Sequence, residues 1–257
     1  METQWAAFVG LTGLLVAAFL VLSWLSAGAV RDPPTIEWRF APNSVDPGVE
    51  SHPTIRTRIP HPQLTDLSTA SLLTNVALTQ GIFAVVLVGA AVAFSIPPRA
   101  LGLDASVLTG HALLWGLALG VGLWVANELG ARALDVAGIE YDERLRGMLA
   151  PDSLGGWAVL LGLALPTVAV VEELLFRAAA IGVVAAGFDV SPWLLVVVSS
   201  AAFGLGHGAQ GRAGIAVTGV LGLVLASAFV LSGSLLTVVV AHYLVNALEL
   251  VVHEGLA

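Results

Sequence analysis

The sequence predicts an all-α fold, a polytopic bundle of about seven to eight transmembrane helices around an intramembrane cavity. Hydrophobic residues make up 57% of the 257-residue chain and charged residues only 11%, whereas a soluble domain has about 25% charged residues. The apolar residues occur in long runs, and roughly 20 of them in a helix cross a hydrocarbon core of about 30 Å. A few ionisable side chains lie deep inside these runs. The predicted location is therefore the cell membrane, as a multi-pass protein surrounded by membrane lipids.

The first apolar run predicts a transmembrane helix over residues 1–30. It is too long for the apolar part of a signal peptide, and no basic residue precedes it. Residues 31–74 form the only long polar stretch and contain seven prolines, which block regular helices. We expect this stretch to be a Pro-rich extramembrane loop.

The remaining residues, 75–257, are predicted to form a transmembrane core. Six apolar segments follow one another there, at about 75–96, 107–126, 154–187, 192–206, 213–231 and 234–252. The segment over 154–187 is too long for one perpendicular span at 1.5 Å per residue, so we expect a tilt, a kink at Pro166 or a break. Ser191 before Pro192 is typical of a helix N-cap followed by proline at the first helical position.

Charge and cysteine content exclude several classes of protein. The net charge is −8 and all ten basic residues are arginines, so a nucleic-acid partner is not expected, since phosphate binding needs a basic surface. The acidic, lysine-free composition is halophile-like, and GC-rich codon usage explains it equally well. The chain has no cysteine, which excludes disulfides, thiolate metal sites and a catalytic thiol.

The first cluster of ionisable residues lies at the centre of the long segment. A charge at the bilayer centre costs about 2.5–3.5 kcal/mol on insertion scales, so such groups are functional candidates. Glu173 and Arg177 are four residues apart and can pair on one helix face, whereas Glu172 points about 100° away around the helix. Two neighbouring carboxylates in a medium of low dielectric can divide their roles, one of them acting as a general base. The alternative is a solvated ion pair at a helix end.

Two further clusters lie in later apolar segments. Phe203 and His207 are one helical turn apart, and His207 ends its segment. His242 and Asn246 share a face of the last segment, and Glu249 and His253 continue that stripe. The alternatives are a helix-terminal histidine in the first case and interhelical hydrogen bonds in the second. If the three polar faces converge, they line a cavity whose bases and hydrogen-bond donors suit hydrolysis by an activated water.

Three other types of intramembrane hydrolase are disfavoured by missing motifs. The sequence has no complete His-Glu-x-x-His, no Gly-x-Ser-Gly nucleophile and no pair of aspartyl motifs. Zinc-type, serine-type and aspartyl-type intramembrane proteolysis are therefore not expected.

The three clusters resemble, in order, the three motifs of the CPBP family, the CAAX-prenyl-protease-like (Rce1-like, Abi) intramembrane endopeptidases. The matching residues are Glu-Glu-x-x-x-Arg at 172–177, Phe-x-x-x-His at 203–207 and His-x-x-x-Asn at 242–246. The resemblance covers about residues 154–250. It implies a helical bundle around a cavity that opens towards the cytosol, and hydrolysis of peptide bonds in a membrane-associated or lipidated protein or peptide.

The resemblance also implies a role for each motif residue. Glu172 and His207 would activate the attacking water, and Glu173 and Arg177 would pair and fix the base. His242 and Asn246 would bind the substrate carbonyl or stabilise its oxyanion. No cofactor is required in this scheme. The alternative is a divalent metal such as zinc, with Glu172, His207 and His242 as its ligands.

Two other functions stay open from the sequence. The first is a non-catalytic membrane scaffold that resembles bacteriocin-immunity proteins. The second is a proton- or cation-coupled transporter that uses the charged cluster as a relay.

Overall fold

The computed structural model describes residues 3–31, 69–136, 138 and 144–256. Within these ranges the chain is helical and contains no strand, so the predicted all-α bundle is confirmed. We number its eight helices in chain order: α1 Trp5–Arg31, α2 Thr69–Ala93, α3 Gly110–Val136, α4 Arg144–Leu149, α5 Leu154–Phe188, α6 Pro192–Leu205, α7 Gly211–Ser232 and α8 Leu235–Gly255.

Six of these helices, α1, α2, α3, α5, α7 and α8, are long and apolar enough to cross a membrane, which confirms a multi-pass membrane protein. Helix α6 is apolar but has only 14 residues. At 1.5 Å per residue it is about 21 Å long, shorter than a hydrocarbon core of about 30 Å. The end of α6 is covered by α1, because Gly206 faces the ring of Phe19, and His207 comes two residues after the last residue of the helix.

Helix α5 runs without a break over 35 residues, where the sequence left a tilt, a kink and a break open. Two stretches of it are π-helical, Leu160–Ala164 and Leu174–Val183. The first of these wider turns comes just before Pro166, and the amide of Leu165 donates to the carbonyl of Leu160 five residues back. Wider turns of this kind are frequent at functional sites, and the second stretch begins directly after Glu173.

The observed helix ends differ from the predicted ones in three places. Helix α2 begins at Thr69, within the segment predicted as loop, and α3 continues to Val136. Ser191 precedes Pro192 as expected, but its side chain makes no capping hydrogen bond. The rest of the predicted Pro-rich loop, residues 32–68, lies outside the described residues.

Helices α3 and α8 are in close contact through two glycines of α3. A Cβ atom at Gly116 would lie 2.7 Å from the carbonyl oxygen of Thr237, and one at Gly120 would lie 2.9 Å from that of Ala241. The spacing of four residues puts both glycines on one face, as in the small-residue contacts typical of membrane helices. This contact fixes α8 next to α3 at the level of His242.

The C-terminal end of α8 is held by charged residues of neighbouring helices. Arg146 of α4 donates to Glu249 at 2.8 Å and to Glu254 at 2.9 Å, and His253 lies 2.6 Å from Glu128 of α3. Glu249 and His253, which the sequence placed on the polar stripe of the last segment, therefore tie helix ends together.

We expect Gly120→Ala to destabilise the bundle, because the added methyl group would meet backbone atoms of α8 that cannot move away freely. Gly122→Ala is the matched control, since a Cβ atom there meets nothing within 4 Å. Thermal unfolding in detergent should show a loss of about 1–3 kcal/mol for Gly120→Ala, as for other overpacked contacts. Equal melting temperatures for the two variants would show that the α3–α8 contact is not tight.

Candidate active site

The first motif lies in the middle of α5 and is buried. Glu173 and Arg177 have no exposed surface and Glu172 is 5% exposed. The Nη1 atom of Arg177 donates to Oε1 of Glu173 at 2.9 Å. The spacing of four residues predicted this pair, and the alternative of a solvated ion pair at a helix end does not hold.

Arg177 connects three helices. Its Nη2 atom donates to the carbonyl oxygen of Gly222 in α7 at 3.3 Å. Its guanidinium carbon lies 4.3 Å from the ring centre of Phe203 in α6, within the range of a cation–π contact. A buried arginine requires such partners, because a charge without them is very costly away from water.

Glu173 also holds the histidine of the third motif. Its Oε1 atom lies 2.7 Å from Nδ1 of His242, whose side chain is buried. An ionised carboxylate only accepts hydrogen bonds, so Nδ1 of His242 carries the proton. This contact fixes the orientation of the imidazole, and its Nε2 atom lies 3.8 Å from Oε2 of Glu172.

Glu172 and His207 face each other across a short gap. Oε2 of Glu172 is 4.0 Å from Nε2 of His207, which is too long for a direct hydrogen bond and suits a bridging water. Oε2 of Glu172 is buried and has no hydrogen-bond partner. Nδ1 of His207 lies 2.8 Å from the carbonyl oxygen of Phe203. Since a carbonyl accepts, Nδ1 donates and Nε2 is left as an acceptor towards Glu172.

Asn246 is the most peripheral of the predicted site residues. It lies one helical turn after His242 on α8 and is half-buried. Within the part of the chain that the structure describes, no hydrogen bond is formed by its amide. The amide is therefore available to a ligand rather than used to join helices.

The structure thus brings five of the six predicted site residues into one connected cluster, namely Glu172, Glu173, Arg177, His207 and His242, with Asn246 one helical turn away on α8. It also adds residues that the sequence did not indicate. Ser199 of α6 donates to the carbonyl of Phe176 at 2.5 Å, and Phe176 packs edge-to-face on Phe203 with ring centres 5.2 Å apart. Phe19 of α1 lies against Phe176 and His207. The only signal for Ser199 is a polar residue in an apolar run, and Phe19 has no signal at all.

Metal ligation can be judged from the donor atoms. In residues 3–31, 69–136, 138 and 144–256, one group of three potential ligands has its donor atoms within 4.8 Å of one another, namely Glu128, Glu249 and His253. Glu172, His207 and His242 do not form such a group.

The fold and this buried Glu–Arg–His arrangement define a polytopic membrane protein with a polar site inside its helical bundle. Residues 154–248 match the family described as type II CAAX prenyl endopeptidase Rce1-like. The matched segment runs from the start of α5 into α8 and includes all three motifs, so the resemblance to the CPBP family is confirmed for this part of the chain. This match to an Rce1-like domain is consistent with the CPBP family. Comparisons with curated proteins and with solved structures gave no match.

We expect Arg177→Met to be strongly destabilising, because it would leave the Glu173 carboxylate buried with His242 as its hydrogen-bond partner. Loss of one member of a buried pair costs about 3–5 kcal/mol, and unfolding in detergent measures it. The matched control is Arg212→Met, since Arg212 is exposed at the start of α7.

A double variant, Glu173→Leu with Arg177→Met, removes both charges and should recover much of the stability. If Arg177→Met unfolds at the same temperature as Arg212→Met, the buried pair does not stabilise the bundle.

Proposed function

We propose that the protein is an intramembrane endopeptidase, similar to CAAX proteases, that hydrolyses peptide bonds with a water activated by Glu172 and His207. One observation carries this proposal. An unpartnered, buried Glu172 oxygen faces the free Nε2 of His207 at 4.0 Å. The Rce1-like domain that contains both residues supports the same class of reaction.

The gap between these two acceptors suits a water molecule that donates one hydrogen to each. The lone pairs of its oxygen then point away from both residues, towards a bound substrate carbonyl. Attack forms the C–O bond while Glu172 takes one proton from the water, as a general base does. Collapse of the tetrahedral intermediate breaks the C–N bond as Glu172 passes this proton to the leaving nitrogen, which yields a carboxylic acid and an amine. The acid, which keeps the second proton of the water, then transfers it to the amine, so that the products are a carboxylate and an ammonium ion.

In this proposal, His242 and Asn246 stabilise the oxyanion of that intermediate. The Asn246 amide has no protein partner and can donate to it, and His242 can donate from Nε2 when both of its ring nitrogens are protonated. Glu173 contacts Nδ1 of His242 at 2.7 Å and is itself held by Arg177. Donors that are fixed before the reaction need no reorganisation during it, which is the main source of such stabilisation.

The direction in which the site opens supports a cytosolic substrate. Among the site residues, His207 and Asn246 are partly exposed, and Asn246 lies nearer than His242 to the end of α8 where Glu249 contacts Arg146. This is also the end at which α1 finishes with Arg31. The positive-inside rule places arginine-bearing ends in the cytoplasm. A membrane-associated or lipidated protein or peptide would then reach the site from the cytosolic face.

We expect Glu172→Gln to abolish cleavage of an internally quenched, farnesylated CAAX-type peptide, since the amide cannot accept the proton of the water. Loss of a general base costs about 10²–10⁴-fold, measured by fluorescence with purified protein. Asp152→Asn is the control, because Asp152 is exposed before α5. Cleavage by Glu172→Gln at the wild-type rate would contradict the proposal. It would favour a non-catalytic scaffold or, if ion flux in liposomes depends on Glu172, a transporter.

We also expect activity without a metal cofactor, because Glu172 and His207 together can deprotonate water. Cleavage of the same peptide should be unchanged after treatment with EDTA and removal of the chelator. Inactivation by EDTA that zinc reverses would instead indicate a metal held by Glu172, His207 and His242.

A further inference from the structure

We propose that Phe19, on helix α1, is a positioning residue that holds His207 in the orientation in which its Nε2 faces Glu172. This inference rests on the proposed function. It concerns a helix that lies outside residues 154–248, the segment matched by the Rce1-like family. The catalytic pair would then depend on a part of the chain that carries none of the three motifs.

The ring of Phe19 lies between two parts of the site. Its centre is 6.5 Å from that of the His207 imidazole, with the planes tilted by 55°. It packs edge-to-face on Phe176 at 5.3 Å, with an angle of 76°, and Phe176 lies between Glu173 and Arg177 in the sequence. Edge-to-face pairs of this kind have a preferred geometry and contribute beyond simple apolar burial. Phe19 therefore couples the position of His207 to the turn of α5 that carries the acidic residues.

The backbone beside His207 is shaped for this ring. A Cβ atom at Gly206 would overlap the ring of Phe19, whose Cε1 and Cδ1 atoms are its nearest neighbours. One turn further along α1, Ser23 has its Oγ atom 3.9 Å from the place where a Cβ of Gly208 would lie. Helix α1 thus lies against both glycines that flank His207, and the absence of side chains there allows the ring of Phe19 to come this close.

His207 needs such support because α6 ends before it. Its amide donates to Gly204 at 3.0 Å rather than to a residue four positions back, and its backbone has left the helical conformation, with φ −102° and ψ 26°. The imidazole is held by one hydrogen bond, from Nδ1 to the carbonyl of Phe203. A single bond leaves the ring free to swing about that contact, and the packed rings of Phe203, at 4.7 Å, and Phe19 restrict this motion.

The test compares Phe19→Leu with Phe83→Leu in the full-length protein in detergent. Phe83 of α2 also packs on Phe19, with ring centres 6.4 Å apart, but it forms no ring contact with His207, so its variant controls for general loss of packing. With the quenched farnesylated peptide we expect Phe19→Leu to lower kcat by about 10- to 100-fold, as for other small misplacements of a catalytic group. KM should change by less than about twofold. Phe19→Tyr keeps the aromatic ring and should have a kcat close to that of the wild type.

A second measurement does not depend on peptide cleavage. Diethyl pyrocarbonate modifies exposed imidazole nitrogens, and mass spectrometry gives the rate at His207. We expect a rate several-fold higher in Phe19→Leu than in the wild type or Phe83→Leu. A faster modification in a protein that cleaves no peptide would support the positioning of His207 and overturn the proposed function. Wild-type kcat and wild-type modification in Phe19→Leu would overturn the role of Phe19.

The contact with Gly206 allows a double-mutant cycle. Gly206 has φ −62° and ψ −16°, which alanine adopts without strain. A Cβ atom there would overlap the ring of Phe19 and would also lie 3.2 Å from the carbonyl oxygen of Phe203, and only the first of these effects depends on Phe19. We expect Gly206→Ala to lower kcat in the wild type and to have a smaller effect in Phe19→Leu, because the shorter side chain leaves room. Additive effects of the two substitutions would show that the ring does not act on His207 through this contact.

Discussion

The organisation of the bundle depends on one buried carboxylate, Glu173. It accepts hydrogen bonds from Arg177 and from His242 through the same oxygen, and neither it nor Arg177 has exposed surface. Because the desolvation of such charges is costly, additional partners stabilise the pair. Arg177 has two of them, a carbonyl of α7 and the Phe203 ring of α6, although its Nε atom and Oε2 of Glu173 have no hydrogen-bond partner. One ion pair on α5 thus requires α6, α7 and α8 to meet at the same level.

The lengths and contacts of the surrounding helices then place the reactive groups. Helix α6 is shorter than the hydrocarbon core, and His207, which follows it, lies between α1 and the acidic residues of α5. Helix α8 is held against α3 by the glycine contacts at Gly116 and Gly120, which fixes the position of His242. The second π-helical stretch of α5 starts at Leu174, so the wider turns begin where the acidic pair ends.

Much of this arrangement was predictable from the sequence, for a physical reason. Ionisable residues in long apolar runs are rare because a bilayer makes them costly, so Glu173, Arg177 and His242 stand out, and the helical period alone predicts that Glu173 and Arg177 pair. Contacts between distant segments are not encoded in any local period. The sequence left open whether the three polar faces converge, so the Glu173–His242 hydrogen bond was not predicted. The π-helical stretches were not expected either. Phe19 is indistinguishable in the sequence from the other apolar residues of α1. Ser191 is the N-cap residue of α6 as predicted, but its side chain makes no capping hydrogen bond, because local preference alone does not place a side chain.

Glu172 and Glu173 are neighbours in the sequence and both are buried, but only Glu173 has direct hydrogen-bond partners. This difference in hydrogen bonding suggests different roles for the two carboxylates. The rotation of about 100° between adjacent residues of a helix points them in different directions. Glu173 is directed towards an arginine and a histidine and is fixed by them. Glu172 is directed towards two Nε2 atoms at 3.8 and 4.0 Å, distances at which neither imidazole satisfies it directly. A buried oxygen without a hydrogen-bond partner lowers the stability of a fold by about 1–3 kcal/mol, and by more when the oxygen is charged. Oε2 of Glu173 also lacks a partner, but Glu173 is held through its Oε1 atom, whereas Glu172 forms no side-chain hydrogen bond among the described residues. This difference supports the proposal that Glu172 is the carboxylate that binds a water, since a water has the size and hydrogen-bonding pattern that the gap to His207 requires.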